Sequence, residues 1–138
     1  MKLPTLLAML SLASCLACGG HDDDDKNNEL MAPGKNCQAC HGSFKVAGTV
    51  FGSATADSGS GLGGIQVVIT DANQVETTLT TNAAGNFYTT AALALPLKKA
   101  ALIRNGTRTE MAGPPVGDCN RCHTLPPGSG AAGRLFAN

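Results

Sequence analysis

The chain carries the pentapeptide Cys-x-x-Cys-His twice, at Cys37-Gln38-Ala39-Cys40-His41 and at Cys119-Asn120-Arg121-Cys122-His123. This spacing is that of covalent c-type haem attachment: two thiols add to the vinyl groups of one porphyrin, and the adjoining imidazole is held under the iron. No other feature constrains the fold as strongly, because the chain has to accommodate two porphyrins. Their apolar bulk offsets a thin protein core, since aromatics make up 4% of the residues and tryptophan is absent.

Of the six cysteines, four lie in the two motifs. Cys15 and Cys18 lie at the end of an N-terminal export signal. Met1-Lys2 is a minimal basic start, and the apolar run from Leu3 to Leu12 is too short to span a bilayer. Leu12-Ala13-Ser14-Cys15 resembles a bacterial lipobox. That resemblance implies a signal peptide over residues 1–14 and a lipidated Cys15 as the mature N-terminus. Cys18 fits less well, because Cys15 and Leu16 precede it where a lipobox has leucine and a small residue. An ordinary signal peptide or a buried apolar segment is the alternative. Export agrees with the haem reading, since bacterial haem attachment takes place outside the inner membrane. The expected location is lipid-anchored, on the periplasmic face or the cell surface, with the outer membrane as the expected membrane. Once thioethers and lipid are assigned, no cysteine pair remains for a structural disulfide.

Residues 15–36 read as lipid anchor and polar tether. Residues 21–29 are polar, with four consecutive aspartates at 22–25 and no apolar periodicity. Consecutive aspartates cannot all face one ion, which disfavours a calcium site. The match of residues 22–26 to a protease recognition sequence reads as incidental. About 120 residues follow the signal, enough for one small domain. The formal net charge is zero, which argues against a nucleic-acid surface.

After the first motif (37–45) the pattern is β-rich. Strands are expected at 46–51, 65–70, 75–81, 87–91, 97–104 and 107–111. The run 65–70 is β-branched and apolar, as in a buried strand, and 75–81 alternates with Val75, Thr77, Leu79 and Thr81 on one face. Glycine-rich 57–64 and Asn82-Ala83-Ala84-Gly85-Asn86 mark turns. Asn105-Gly106 is a strong two-residue hairpin signal. Six strands without a helix predict a mainly β fold, a small antiparallel β-sandwich over 46–111, flanked by the motif segments and followed by a second motif and tail over 112–138.

Gly63-Gly64-Ile65-Gln66-Val67-Val68-Ile69-Thr70-Asp71, followed by Leu79-Thr80-Thr81-Asn82-Ala83-Ala84-Gly85-Asn86-Phe87-Tyr88, resembles the carboxypeptidase-regulatory-like (prealbumin-like) β-sandwich. The resemblance covers residues 46–111 and implies a scaffold, not an activity. The whole arrangement resembles small exported di-haem c-type cytochromes, with a haem motif at each end of such a sandwich.

Ligand counting narrows the iron sites. Of three histidines, His41 and His123 are the proximal ligands and only His21 is left, in the tether. Methionine is the soft alternative. Met31-Ala32 precedes Cys37 through Pro33-Gly34, and Met111-Ala112 precedes Cys119 through Gly113-Pro114-Pro115. Ten residues separate Met31 from His41, a reach of about 33 Å. Met31 and Met111 are therefore the candidate distal ligands, with core packing as the plainer role. In the tail, Leu125, Leu135 and Phe136 are candidates to cover the second haem, and Arg134 to pair with a propionate.

The implied function is electron transfer by two covalent haem c groups, with other redox proteins as partners and the membrane reached through the lipid. No catalytic constellation is present, so an enzyme is not expected. Two other classes are weighed against this. A haem peroxidase or gas sensor needs an open distal site. A zinc-clipped structural lipoprotein would use the four motif thiols, but leaves the two histidines unexplained. A thioredoxin-like pair lacks its βαβ setting. Six alternating strands also return the chain to the end at which it began, which places the two motifs side by side.

Overall fold

The computed structural model describes residues 31–114 and 116–138. The export signal, the lipobox with Cys15, Cys18, His21 and the acidic run lie outside the described residues. The described chain forms six strands and two short 3-10 turns: β1 (Val46–Thr49), β2 (Gln66–Thr70), β3 (Glu76–Thr80), β4 (Asn86–Thr89), β5 (Lys99–Arg104) and β6 (Thr107–Ala112), with Cys37–Ala39 and Cys119–Arg121 as the turns. The pairings between these strands are antiparallel, in a four-stranded sheet of order β3-β2-β5-β6 and a two-stranded ribbon of β1 and β4. This is the small, mainly β sandwich read from the sequence. Among the described residues no helix is long and apolar enough to cross a membrane.

β2 is central because it is apolar on both faces: Val67, Val68 and Ile69 are all buried. Val67 and Ile69 pack with Val46, Val50, Ile65, Phe87, Leu97, Leu102 and Ala137 into one core. The β5–β6 hairpin turns at Asn105 (φ 49°) and Gly106 (φ 78°), the left-handed pair that a tight primed turn needs. The Asn82 side chain accepts from Ala84 N and Asn86 N and closes the turn before β4. β3 departs from expectation at one end. Val75 is exposed because it closes a turn, its N–H donating to the Asp71 carboxylate with Gln74 at φ 65°.

β1 positions everything that follows. One edge pairs with β4, and the other has no strand beside it among the described residues. That edge's backbone donors are satisfied in register by the C-terminal segment: Ala47 N by Gly117 O (2.9 Å), Thr49 N by Asn120 Oδ1 (3.0 Å) and Phe51 N by Leu135 O (2.8 Å). Ala137 N then donates to Phe51 O. A segment without periodicity thus caps a sheet edge that would otherwise be open. The tail is docked at both ends, through Gly117 and Asn120 and through Leu135 and Ala137.

Candidate haem attachment sites

The two motifs adopt the same local structure. In each, the second cysteine and the histidine donate their N–H groups to the carbonyl of the first cysteine, at 3.3 and 2.9 Å for Cys40 and His41 and at 3.3 and 3.0 Å for Cys122 and His123. The first thiol of each contacts the carbonyl two residues upstream, Lys35 O for Cys37 and Gly117 O for Cys119, both at 3.6 Å. Asn36 caps the first turn through Ala39 N. The repeated pentapeptide is therefore a repeated fold.

The motifs also lie side by side, as the even strand count requires. Asn120, inside the second motif, donates to Lys35 O (2.7 Å) and reaches Cys37 Sγ (3.8 Å) in the first. Close backbone approach makes this possible. A Cβ on Gly117 would lie 1.9 Å from Lys45 O, and one on Gly48 would lie 2.9 Å from Cys119 Cβ. Residues 31–36, read from the sequence as the end of the tether, lie against the same strands. Gly34 N donates to Thr49 Oγ1, and Met31 O accepts from Asn86 Nδ2.

The histidines face opposite sides of the β1–β4 ribbon. His41 stacks on Phe44 (4.7 Å between centroids), and Phe44 stacks on exposed Tyr88 (4.3 Å). His123 shares a cavity with buried Phe87. Neighbouring strand residues point to opposite faces, so Phe87 and Tyr88 mark the two sides. Both Nε2 atoms are buried and without a hydrogen-bond partner. His123 Nδ1 lies 3.1 Å from Gly133 O. A carbonyl only accepts, so in the neutral ring Nδ1 carries the proton and Nε2 keeps its lone pair. This is how a metal-ligating imidazole is oriented by its other ring nitrogen.

The cavity beside His123 has a volume of about 300 Å³. Cys119, Cys122, Met111, Phe136 and Leu135 are among its lining, with the apolar faces of β2 and β5. Arg134 lines it too. Its guanidinium lies 4.7 Å over the Phe51 ring and donates to Gly34 O, but Nε is buried without an acceptor. The residues at the second motif fit a haem: two thiols, a free imidazole nitrogen, an apolar space, a thioether at its rim and an unpaired cationic donor. Leu125, by contrast, is exposed and outside the lining.

The first motif is more open. Met31 is 51% exposed. Cys40 is disulfide-bonded, while Cys37, Cys119 and Cys122 are free thiols. A sulfur in a disulfide cannot also form a thioether, so haem at this motif requires Cys40 reduced. The sequence reading left no cysteine pair for a disulfide, and at Cys40 the structure differs from it.

Burial pushes the Cys119 thiol up to about 12, and Asp118 and then Cys37 push it the same way. Cys37 is raised by burial first and Asp118 second. Both are protonated at neutral pH in this state. Among the described residues no group of three or more His, Cys, Asp or Glu side chains is placed to hold a metal ion.

Sequence reasoning did not find Asn120, Thr49, Gly48 or Gly117, which join the motifs to β1. Only the two glycines, Gly48 inside a strand and Gly117 two residues before Cys119, carried a signal, since glycine accompanies close backbone contact. Comparison with family models, with curated proteins and with solved structures finds no match for this chain.

Proposed function

We propose that the protein is a di-haem c-type cytochrome that passes single electrons between redox partners, held at a membrane by a lipid on Cys15. The observation that carries the reading is the pair of identically folded Cys-x-x-Cys-His turns, each leaving a buried His Nε2 without a partner. An unpaired buried acceptor is costly, and an iron is the partner that this motif's chemistry supplies. A bound haem supplies the one-electron couple. The chain's own residues do the rest. Gly133 O fixes the His123 tautomer, Cys119 and Cys122 offer the thiols, the β2 and β5 side chains exclude water, and Met111 offers a thioether from the cavity rim. The shared β1 strand keeps the two turns adjacent, with their histidines on opposite sides of the β1–β4 ribbon.

The disulfide at Cys40 favours a second reading, in which the cavity-facing motif alone carries haem. Intact mass of protein matured in a competent host separates the two. The di-haem reading expects a gain of two haems, with Cys40→Ala and Cys122→Ala each weakening attachment at its own motif. A gain of one haem, confined to the peptide with Cys119 and Cys122, establishes the second reading instead.

A further inference from the structure

The residues between the cysteines of a Cys-x-x-Cys-His motif take no part in haem chemistry, yet Asn120 is 3% exposed and its amide is engaged on both sides. Oδ1 accepts from Thr49 N (3.0 Å), taking the place of a strand carbonyl on the β1 edge. Nδ2 faces three acceptors: Lys35 O at 2.7 Å, Thr49 Oγ1 at 3.1 Å and Cys37 Sγ at 3.8 Å. Two N–H hydrogens serve these three, so the long sulfur contact is the shared one. The network continues into the first motif's lead-in. Thr49 Oγ1 accepts from Gly34 N and donates to Asn86 Oδ1 (2.6 Å), and Asn86 Nδ2 donates to Met31 O. The matching residue of the first motif, Gln38, makes only an exposed 3.3 Å contact with Lys45 O. Of the two intervening side chains, only Asn120 therefore reaches across to the other motif.

We infer that Asn120 is a positioning residue that joins the two motifs into one unit, so that haem attachment through Cys37 depends on a side chain of the second motif. Its haem readout rests on the proposed function, and a thiol readout on haem-free protein stands apart from it. In haem-free Asn120→Ala, native-state alkylation of Cys37 by iodoacetamide rises about tenfold, the scale on which losing a well-made buried hydrogen bond shifts a local opening. Cys122 is unchanged, since Gly117 O and the His123–Gly133 contact still dock its segment. Asn120→Asp keeps the shape and the acceptor for Thr49 N but removes the donors. It leaves the fold intact by circular dichroism and gives the same rise at Cys37. In the matured protein both variants keep haem on Cys119 and Cys122 and lose it in large part from Cys37, whereas Gln38→Ala keeps both. The inference is overturned if Asn120→Asp behaves as wild type, or if Cys37 and Cys122 become reactive together. Absence of haem from the wild-type chain overturns the proposed function and leaves the thiol result to decide on Asn120.

Discussion

Gly117→Ala tests how the second motif is fastened. The added Cβ would fall 1.9 Å from Lys45 O, 2.9 Å from Lys45 C and 2.9 Å from Val46 Cα. All three are backbone atoms of β1 or the residue before it, so no side chain can swing aside. Overpacking of this kind costs about 1–3 kcal/mol. Relieving it by separating the strands breaks the Ala47 N–Gly117 O bond, worth about 1 kcal/mol. The expected loss is about 2–4 kcal/mol. A domain of this size is stable by about 5–15 kcal/mol, so the sandwich stays folded while residues 117–123 come away from β1. Urea unfolding of the matured protein should show a lower midpoint, and peptide mass should show less haem on Cys119 and Cys122. Gly42→Ala is the control, since no atom lies within 4 Å of its Cβ, and should change stability by less than about 0.5 kcal/mol. If Gly117→Ala is as mild as Gly42→Ala, the close approach to β1 does not hold the motif and the reasoning fails.

Three further outcomes are expected. Met111→Ala should keep haem on the second motif, open it to carbon monoxide and lower its potential, while Met31→Ala leaves that site unchanged; an unaltered spectrum in Met111→Ala would show that the rim thioether is not a ligand. The Asp71 carboxyl is held below its usual range, chiefly by the Val75 N–H and also by those of Ala94 and Asn73. Because the folded value is the lower one, its stabilisation is present above about pH 4 and is lost as pH falls through the folded value; Asp71→Ala should flatten that part of the stability profile, and an unchanged acid limb would contradict this. Cys15→Ser should move the protein from the membrane to the soluble fraction; if only Cys18→Ser does so, the lipid is three residues further on.

Much of the sandwich was legible in the sequence because its signals are local. The β-branched run at 65–70, the Asn105-Gly106 pair and the Asn82 turn each depend on a few adjacent residues, and each appears where their chemistry places it. β1 ends at Thr49 and not at 51, because Phe51 makes isolated bridges instead, to Gly61 and to Phe136 in the tail. The tail itself was not legible. It meets β1 through Gly117 O, an asparagine side chain and Leu135 O, which leaves no period to read. Arg134 was read only as a candidate partner for a propionate. It is 8% exposed, because the Phe51 ring and Gly34 O receive it. The motif thiols and histidines could be named from their spacing. Their adjacency followed from counting strands, but the side chain that joins them did not, since nothing in a Cys-x-x-Cys-His pattern constrains the intervening residues.

The central claim is that both pentapeptides carry haem. A pyridine haemochrome spectrum of protein matured in a competent host, with iron and protein measured on the same sample, tests it most directly. The account predicts the absorption of a haem with both vinyl groups saturated by thioethers, and two irons per chain. Stoichiometric zinc with no visible absorption would contradict it outright.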